Sequence, residues 1–209
     1  MEKVRSLMFA TASLLALGSG TASAVPVLFP SGPVAGLNTA TILAGGWSQC
    51  YSGTMSASIG SSGEAVLNAC SGDYLMMAGR RSGSDEFLIA AAALRADTIV
   101  DTGQSSNTNL ANGSQWWYSP NWSWGFTAAG DTVDNFECDT SASPASMCLH
   151  TLGFVGGYRI NDLQGLNNST DFEKVFFVSN GGTPVPEPGT LALVGLGLLG
   201  LASRRKTAA

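Results

Sequence analysis

Between residues 25 and 182 the apolar residues come in short runs separated by Gly, Ser, Asn, Asp and Pro. Short apolar runs closed by turn residues have the length of strands, and this punctuation constrains the fold more than any other feature. Strand candidates fall at 41–44, 74–78, 87–91, 98–100, 115–118, 123–127, 154–160 and 172–178. The last reads FEKVFFV, aromatic and β-branched together. Ser62 ahead of Glu64, Ala65, Val66 and Leu67 has the start of a capped helix that reaches Cys70. The run 88–94 (LIAAAAL) is helical by propensity, but Gly83-Ser84 and Asp97 bracket a short element and we read it as a strand. The expected fold class is therefore mainly β: an antiparallel β-sandwich or barrel-like domain with one or two short helices. The Pro-containing stretch 25–38 is read as an extended lead-in.

Charge and cysteine narrow the setting. From residue 25 to residue 186 there are 13 acidic and five basic residues. A phosphate backbone needs a basic patch, so nucleic acid is not an expected partner. The four cysteines, Cys50, Cys70, Cys138 and Cys148, lack the close pairing of a zinc site and are expected to form two disulfides in an oxidising compartment. The expected pairs are Cys50–Cys70 and Cys138–Cys148, because each brackets one local excursion; two other pairings of four cysteines exist.

Three groups of residues could carry chemistry. The segment 115–126, QWWYSPNWSWGF, holds Trp116, Trp117, Tyr118, Trp122 and Trp124. Alternation on a strand would place Trp122, Trp124 and Phe126 on one face, and Trp116 and Tyr118 opposite Trp117. Such rings form either the core of an Ala- and Gly-rich domain or an exposed platform for sugar stacking or a protein partner. Asp131, Asp134, Glu137 and Asp139 form an acidic run that could meet on a calcium ion; it lacks the EF-hand spacing and reads equally as a solvated loop. His150 is the only histidine, and no Gly-x-Ser-x-Gly turn accompanies it. No catalytic group, cofactor or resident metal is expected. Sequons start at Asn112, Asn121 and Asn168.

The two ends carry an address. Residues 1–24 run from basic Lys3 and Arg5 through the apolar stretch LMFATASLLAL to Ala22-Ser23-Ala24, the order of a signal peptide cut after Ala24. The exported globular domain is expected to span 25–182, after a linker-like Gly181-Gly182. The stretch 183–209 contains Pro186-Glu187-Pro188, an apolar run with a transmembrane segment at about 190–203, and Arg204-Arg205-Lys206. The prolines keep the first part extended, and the basic cluster holds the terminus on the cytoplasmic side. The apolar run of 12–14 residues gives roughly 20 Å of helix against a hydrocarbon core of about 30 Å, a marginal anchor suited to removal.

These three parts in this order resemble the PEP-CTERM sorting signal of exported Gram-negative proteins. The resemblance covers about the last 25 residues. It implies an exosortase-type membrane enzyme as partner, with Pro186, Glu187 and Pro188 as the motif it reads. It also implies transient anchoring in the inner membrane before release to the cell surface, outer envelope or medium. By the same resemblance the class is tied to exopolysaccharide-producing cell envelopes. The expected function is an exported, surface-associated, non-enzymatic structural or interaction protein. A glycan-binding module built on the aromatic segment and a secreted hydrolase are the alternatives.

Overall fold

The computed structural model describes residues 31–141 and 143–180. The signal segment with Ala22 and Ala24 lies outside them, as do Pro186, Glu187 and Pro188, the span expected at about 190–203, and Arg204, Arg205 and Lys206. Among the described residues no helix is long and apolar enough to cross a membrane.

Twelve strands and three short helices make up the described chain: β1 Leu37–Asn38, α1 Thr39–Ala44, β2 Ser48–Thr54, α2 Glu64–Ala69, β3 Tyr74–Arg81, β4 Glu86–Leu94, α3 Arg95–Thr98, β5 Asn109–Ala111, β6 Ser114–Tyr118, β7 Ser123–Ala128, β8 Val133–Asp134, β9 Asp139–Thr140, β10 Met147–His150, β11 Gly157–Ile160 and β12 Phe172–Ser179. They form two five-stranded sheets, ordered β1-β4-β3-β12-β2 and β11-β10-β7-β6-β5, and a two-stranded ribbon, β8-β9. Every ladder is antiparallel. The fold is mainly β with few short helices, as the punctuation of the sequence implies.

The two sheets cross at a steep angle. Going along β11, Gly157 donates its N–H to Met55, just past the end of β2. Ile160 lies where a Cβ on Gly79 of β3 would come within 2.8 Å of its side chain. Asn161 then reaches the carbonyl of Leu88 in β4, at 3.1 Å. One short strand of the second sheet thus passes over β2, β12, β3 and β4 of the first, the orthogonal class of sheet packing.

The space between the sheets is filled by unequal partners. The first sheet contributes Leu75, Met77, Ile89, Ala91, Ala93 and Phe176; the second contributes Trp116, Tyr118, Trp124, Phe126, Met147, Leu149 and Ile160, all in one buried cluster. Trp124 and Phe176 pack across the interface with ring centroids 5.3 Å apart. The alanines of β4 give up volume where the second sheet carries indoles, which keeps the layer at crystal-like density. Burying one Trp removes roughly 150–250 Å² from water, a gross gain of about 4–6 kcal/mol.

Both outer faces are covered as well. Ile42 of α1 and Trp47 pack with Met76, Ala78, Phe87, Ala90, Ala92, Val175 and Phe177 on the first sheet. The β8-β9 ribbon places Val133 and Cys138 against Trp117 and Cys148 on the second. Disulfides join Cys50 to Cys70 and Cys138 to Cys148. The first ties edge strand β2 to the end of α2; the second staples the ribbon to β10. Each closes a local loop and stabilises by about 2–4 kcal/mol.

Several elements differ from the expectation. The stretch 41–44 is helical in α1, because the Asn38 side chain accepts the N–H of Thr41 at 2.8 Å and caps the helix. The stretch 98–100 follows α3 instead of forming a strand, since Thr98 donates its hydroxyl back to the carbonyl of Arg95. Helix α2 begins at Glu64, and Ser62 has φ of 57° and does not cap it. Residues 154–156 precede β11 in a loop. The polar edge strand β2 and the strand β10 were not expected. The described part of the lead-in is extended: Val34 bridges Ala90, and β1 pairs with Glu86 and Phe87.

Close approach explains particular glycines. A Cβ on Gly125 would fall 2.4 Å from both the Met147 carbonyl and the Trp117 ring. Gly125→Ala is expected to lower stability by about 1–3 kcal/mol, measured as a shifted denaturation midpoint with an unchanged slope. An unshifted midpoint would mean that the Trp117 packing yields freely.

Candidate functional site

The aromatic segment separates into core and surface. Trp116, Tyr118 and Trp124 lie in the buried layer between the sheets. Trp117 is buried beneath the ribbon, where its Nε1–H donates to Ser123 Oγ at 3.2 Å and that hydroxyl donates to the Asn135 carbonyl at 2.6 Å. These four rings are corrected from candidate binding residues to core. Trp122 does not share the face of Trp124 and Phe126, because it precedes β7 and turns outward onto the ribbon. There its ring stacks on Phe136, with centroids 4.3 Å apart and planes 11° apart, and its Nε1–H donates to the Phe136 carbonyl.

Trp122 and Phe136 belong to one end of the second sheet. Thr151 fastens that end: its N–H donates to the Trp122 carbonyl at 3.0 Å and its hydroxyl to the Ser119 carbonyl at 2.6 Å. Its own carbonyl accepts the N–H of Ser62 at 2.8 Å. The neighbouring β10–β11 loop carries Phe154, which is 85% exposed, while Phe136 is 45% exposed. Three aromatic side chains on tied loops therefore face solvent at least in part. Phe136 and Phe154 went unnoticed in the sequence because each stands alone among polar or small residues.

The acidic run does not converge. Asp131 accepts a hydrogen bond from Thr127, Asp134 from the backbone N–H of Phe136, and Asp139 pairs with the buried Arg159 at 2.9 Å. Glu137 is exposed. Among the described residues no three or more His, Cys, Asp or Glu side chains are grouped to hold a metal ion. His150 ends β10 and meets Tyr158 edge-on at 5.8 Å. Burial pushes its pKa below the ordinary value, partly offset by a backbone hydrogen bond to Trp122.

One buried cation escaped the sequence reading. In FEKVFFV the period of two puts Lys174 on the same face as Phe172 and Phe176, toward the core. Its Nζ donates to the carbonyls of Thr54, Met55 and Ala57, so it caps the turn that follows β2. Burial lowers its pKa to about 8. The group is spent on holding backbone, and no carboxylate is among these acceptors.

A second surface feature lies where β12 ends. An open depression of about 540 Å³ is lined by Gly72, Asp73, Tyr74, Leu94, Arg95, Ala96 and Ile99. It shares Tyr74 and Leu94 with a neighbour of about 300 Å³ that adds Asp97, Ala111 and Asn112. Arg95 is held by the carbonyls of Cys70 and Leu67.

Comparison with known proteins adds one assignment. A family model described as the PEP-CTERM protein-sorting motif matches residues 184–206. The chain therefore carries this sorting motif, and the central domain has no family assignment. No curated protein and no solved structure matches the chain.

The lowered pKa of Lys174 has a signed consequence. Between about pH 8 and its ordinary value of 10.5 the unfolded chain holds a proton that the folded chain has released. Stability contributed by this group therefore rises with pH across that window. Lys174→Met is expected to abolish the rise and to lower stability near pH 7 by about 1–3 kcal/mol through unpaired carbonyls. Denaturant titrations of both proteins between pH 7 and pH 10 check it; parallel pH profiles would refute it.

Proposed function

We propose that residues 25–182 form an exported, non-enzymatic domain with a structural or interaction role at the cell surface, delivered there by exosortase processing. The observation that carries this reading is the sorting motif at 184–206, six residues beyond the end of the last strand at its Pro186. The motif supports an exported, exosortase-processed surface protein. Two further features favour a passive body. Two disulfides staple excursions to the sheets. The buried cations Lys174 and Arg159 are engaged by backbone carbonyls and by Asp139, which makes them structural.

The physical logic of delivery has three steps. The apolar segment halts in the inner membrane by burying its Leu side chains, at roughly 25 cal/mol per Å². Arg204, Arg205 and Lys206 hold the terminus inside. Pro186-Glu187-Pro188 then stands just outside the bilayer as a stiff strand that an enzyme can grip without unwinding a helix. Replacing Pro186, Glu187 and Pro188 by alanine should leave the protein anchored and uncut. Neutral residues at Arg204, Arg205 and Lys206 should release uncut protein. Mass and membrane fraction in hosts with and without an exosortase decide both. A wild-type tail left uncut in both hosts would reduce the tail to a plain anchor.

The second reading is a glycan-binding module, now placed on Trp122, Phe136 and Phe154 in place of the full aromatic segment. The exposed Trp122–Phe136 stack favours it, since flat rings beside neutral polar groups suit the apolar face of a sugar. On a glycan array, Trp122→Ala together with Phe154→Ala should remove any signal that the wild-type domain gives. Signal retained by that variant would exclude this site.

A further inference from the structure

The sorting motif is tied to the domain by a very short leash. Strand β12 ends at Ser179, and Pro186 follows after residues 180–185. Six residues reach at most about 20–25 Å even when fully extended. A domain of this size has a radius of gyration of about 15 Å. An enzyme that grips Pro186-Glu187-Pro188 therefore cannot avoid the folded domain, and it meets the end from which the chain leaves.

That end has the character of a docking face. Gly72 marks the exit: a Cβ there would lie 3.0 Å from Val178 Cβ, 3.2 Å from the Ser179 carbonyl and 3.3 Å from the Asn180 side chain. Gly72 also lines the larger depression, so the chain departs along its rim. Around it stand Leu94 at 47%, Val100 at 44% and Leu110 at 66% exposure, three of the large apolar side chains that the domain leaves open to solvent. Asn109, beside Leu110, donates to the Asp97 carbonyl at 2.8 Å, which holds β5 against α3 and keeps these side chains on one end of the sandwich. Asp73 and Asp97 border the depressions.

We propose that this exit face, Tyr74, Leu94, Val100 and Leu110 around the paired depressions, is a docking surface for the membrane processing enzyme that cuts at Pro186-Glu187-Pro188. The folded domain is then part of the substrate, and the motif alone is a poorer one. The occupant follows from the leash: six residues deliver the enzyme to this face and to no other part of the domain. The proposal rests on exosortase processing as stated above.

The test is the rate at which full-length chain is processed in a host with an exosortase. Leu94→Glu with Val100→Glu is expected to slow cleavage about fivefold or more, as removal of apolar anchors does at an interface. Phe154→Ser, an exposed position at the other end of the second sheet, should leave the rate unchanged. A denaturation midpoint matching the wild type shows that the double variant is folded. Should it fail to fold, a second chain carries about a dozen added Gly and Ser residues after Asn180, and its cleavage should slow as the effective concentration of the face falls. Wild-type rates in either folded variant overturn the docking face while leaving exosortase processing intact. A wild-type chain that is itself uncut overturns both.

Discussion

The structure depends on a size match between two crossing layers. Strand β4 presents Ala91 and Ala93 to the interior while β6 and β7 present Trp116, Tyr118, Trp124 and Phe126. An interior must be filled to near crystal density, and bulky rings on both sheets would force them apart. The near-perpendicular crossing has the same requirement, since strands that cross meet over a small area where one residue sets the spacing. Gly79 beneath Ile160 is such a place, and Gly125 beneath Trp117 is its counterpart on the outer face.

A domain built this way has little surface chemistry left over. Its two outer faces are covered by α1 with Trp47 and by the stapled β8-β9 ribbon. Lys174 and Arg159 go into the body to hold a turn and the ribbon. What remains for recognition lies at the ends. One end carries the Trp122–Phe136 stack with Phe154 on tied loops. Another carries the exit of β12 with its two depressions. The first is free to meet an extracellular partner throughout the life of the protein. The second faces its enzyme only while the leash is intact.

Several elements were legible because their signals are local. The runs at 74–78, 87–91, 115–118, 123–127 and 172–178 contain the β-branched, aromatic and apolar residues that a pleated, buried surface selects, and each lies within a strand. Other elements were hidden because their cause is distant. Strand β2 is polar, and it exists because β12 supplies a ladder from Ser48 to Thr54. The stretch 41–44 looks extended by its Thr and Ile, yet the Asn38 cap turns it into α1. The Asn112-Gly113 turn between β5 and β6, with φ of 46° and 74°, carries a hairpin signal that masquerades as a sequon.

The sequence by itself determined the address, the β class and the sorting motif, because each rests on residues that are neighbours in the chain: a basic start, an apolar run, a stiff Pro-Glu-Pro, alternating apolar positions. Tertiary structure alone decided which rings are core and which are surface. Period two separates Trp116 from Trp117, but it cannot say that a stapled ribbon covers the second as fully as a sheet covers the first. Nor can it say that Trp122, one residue ahead of its strand, turns out onto Phe136. Burial is a property of what packs against a side chain, and here the covering residues come from strands and loops remote in the chain.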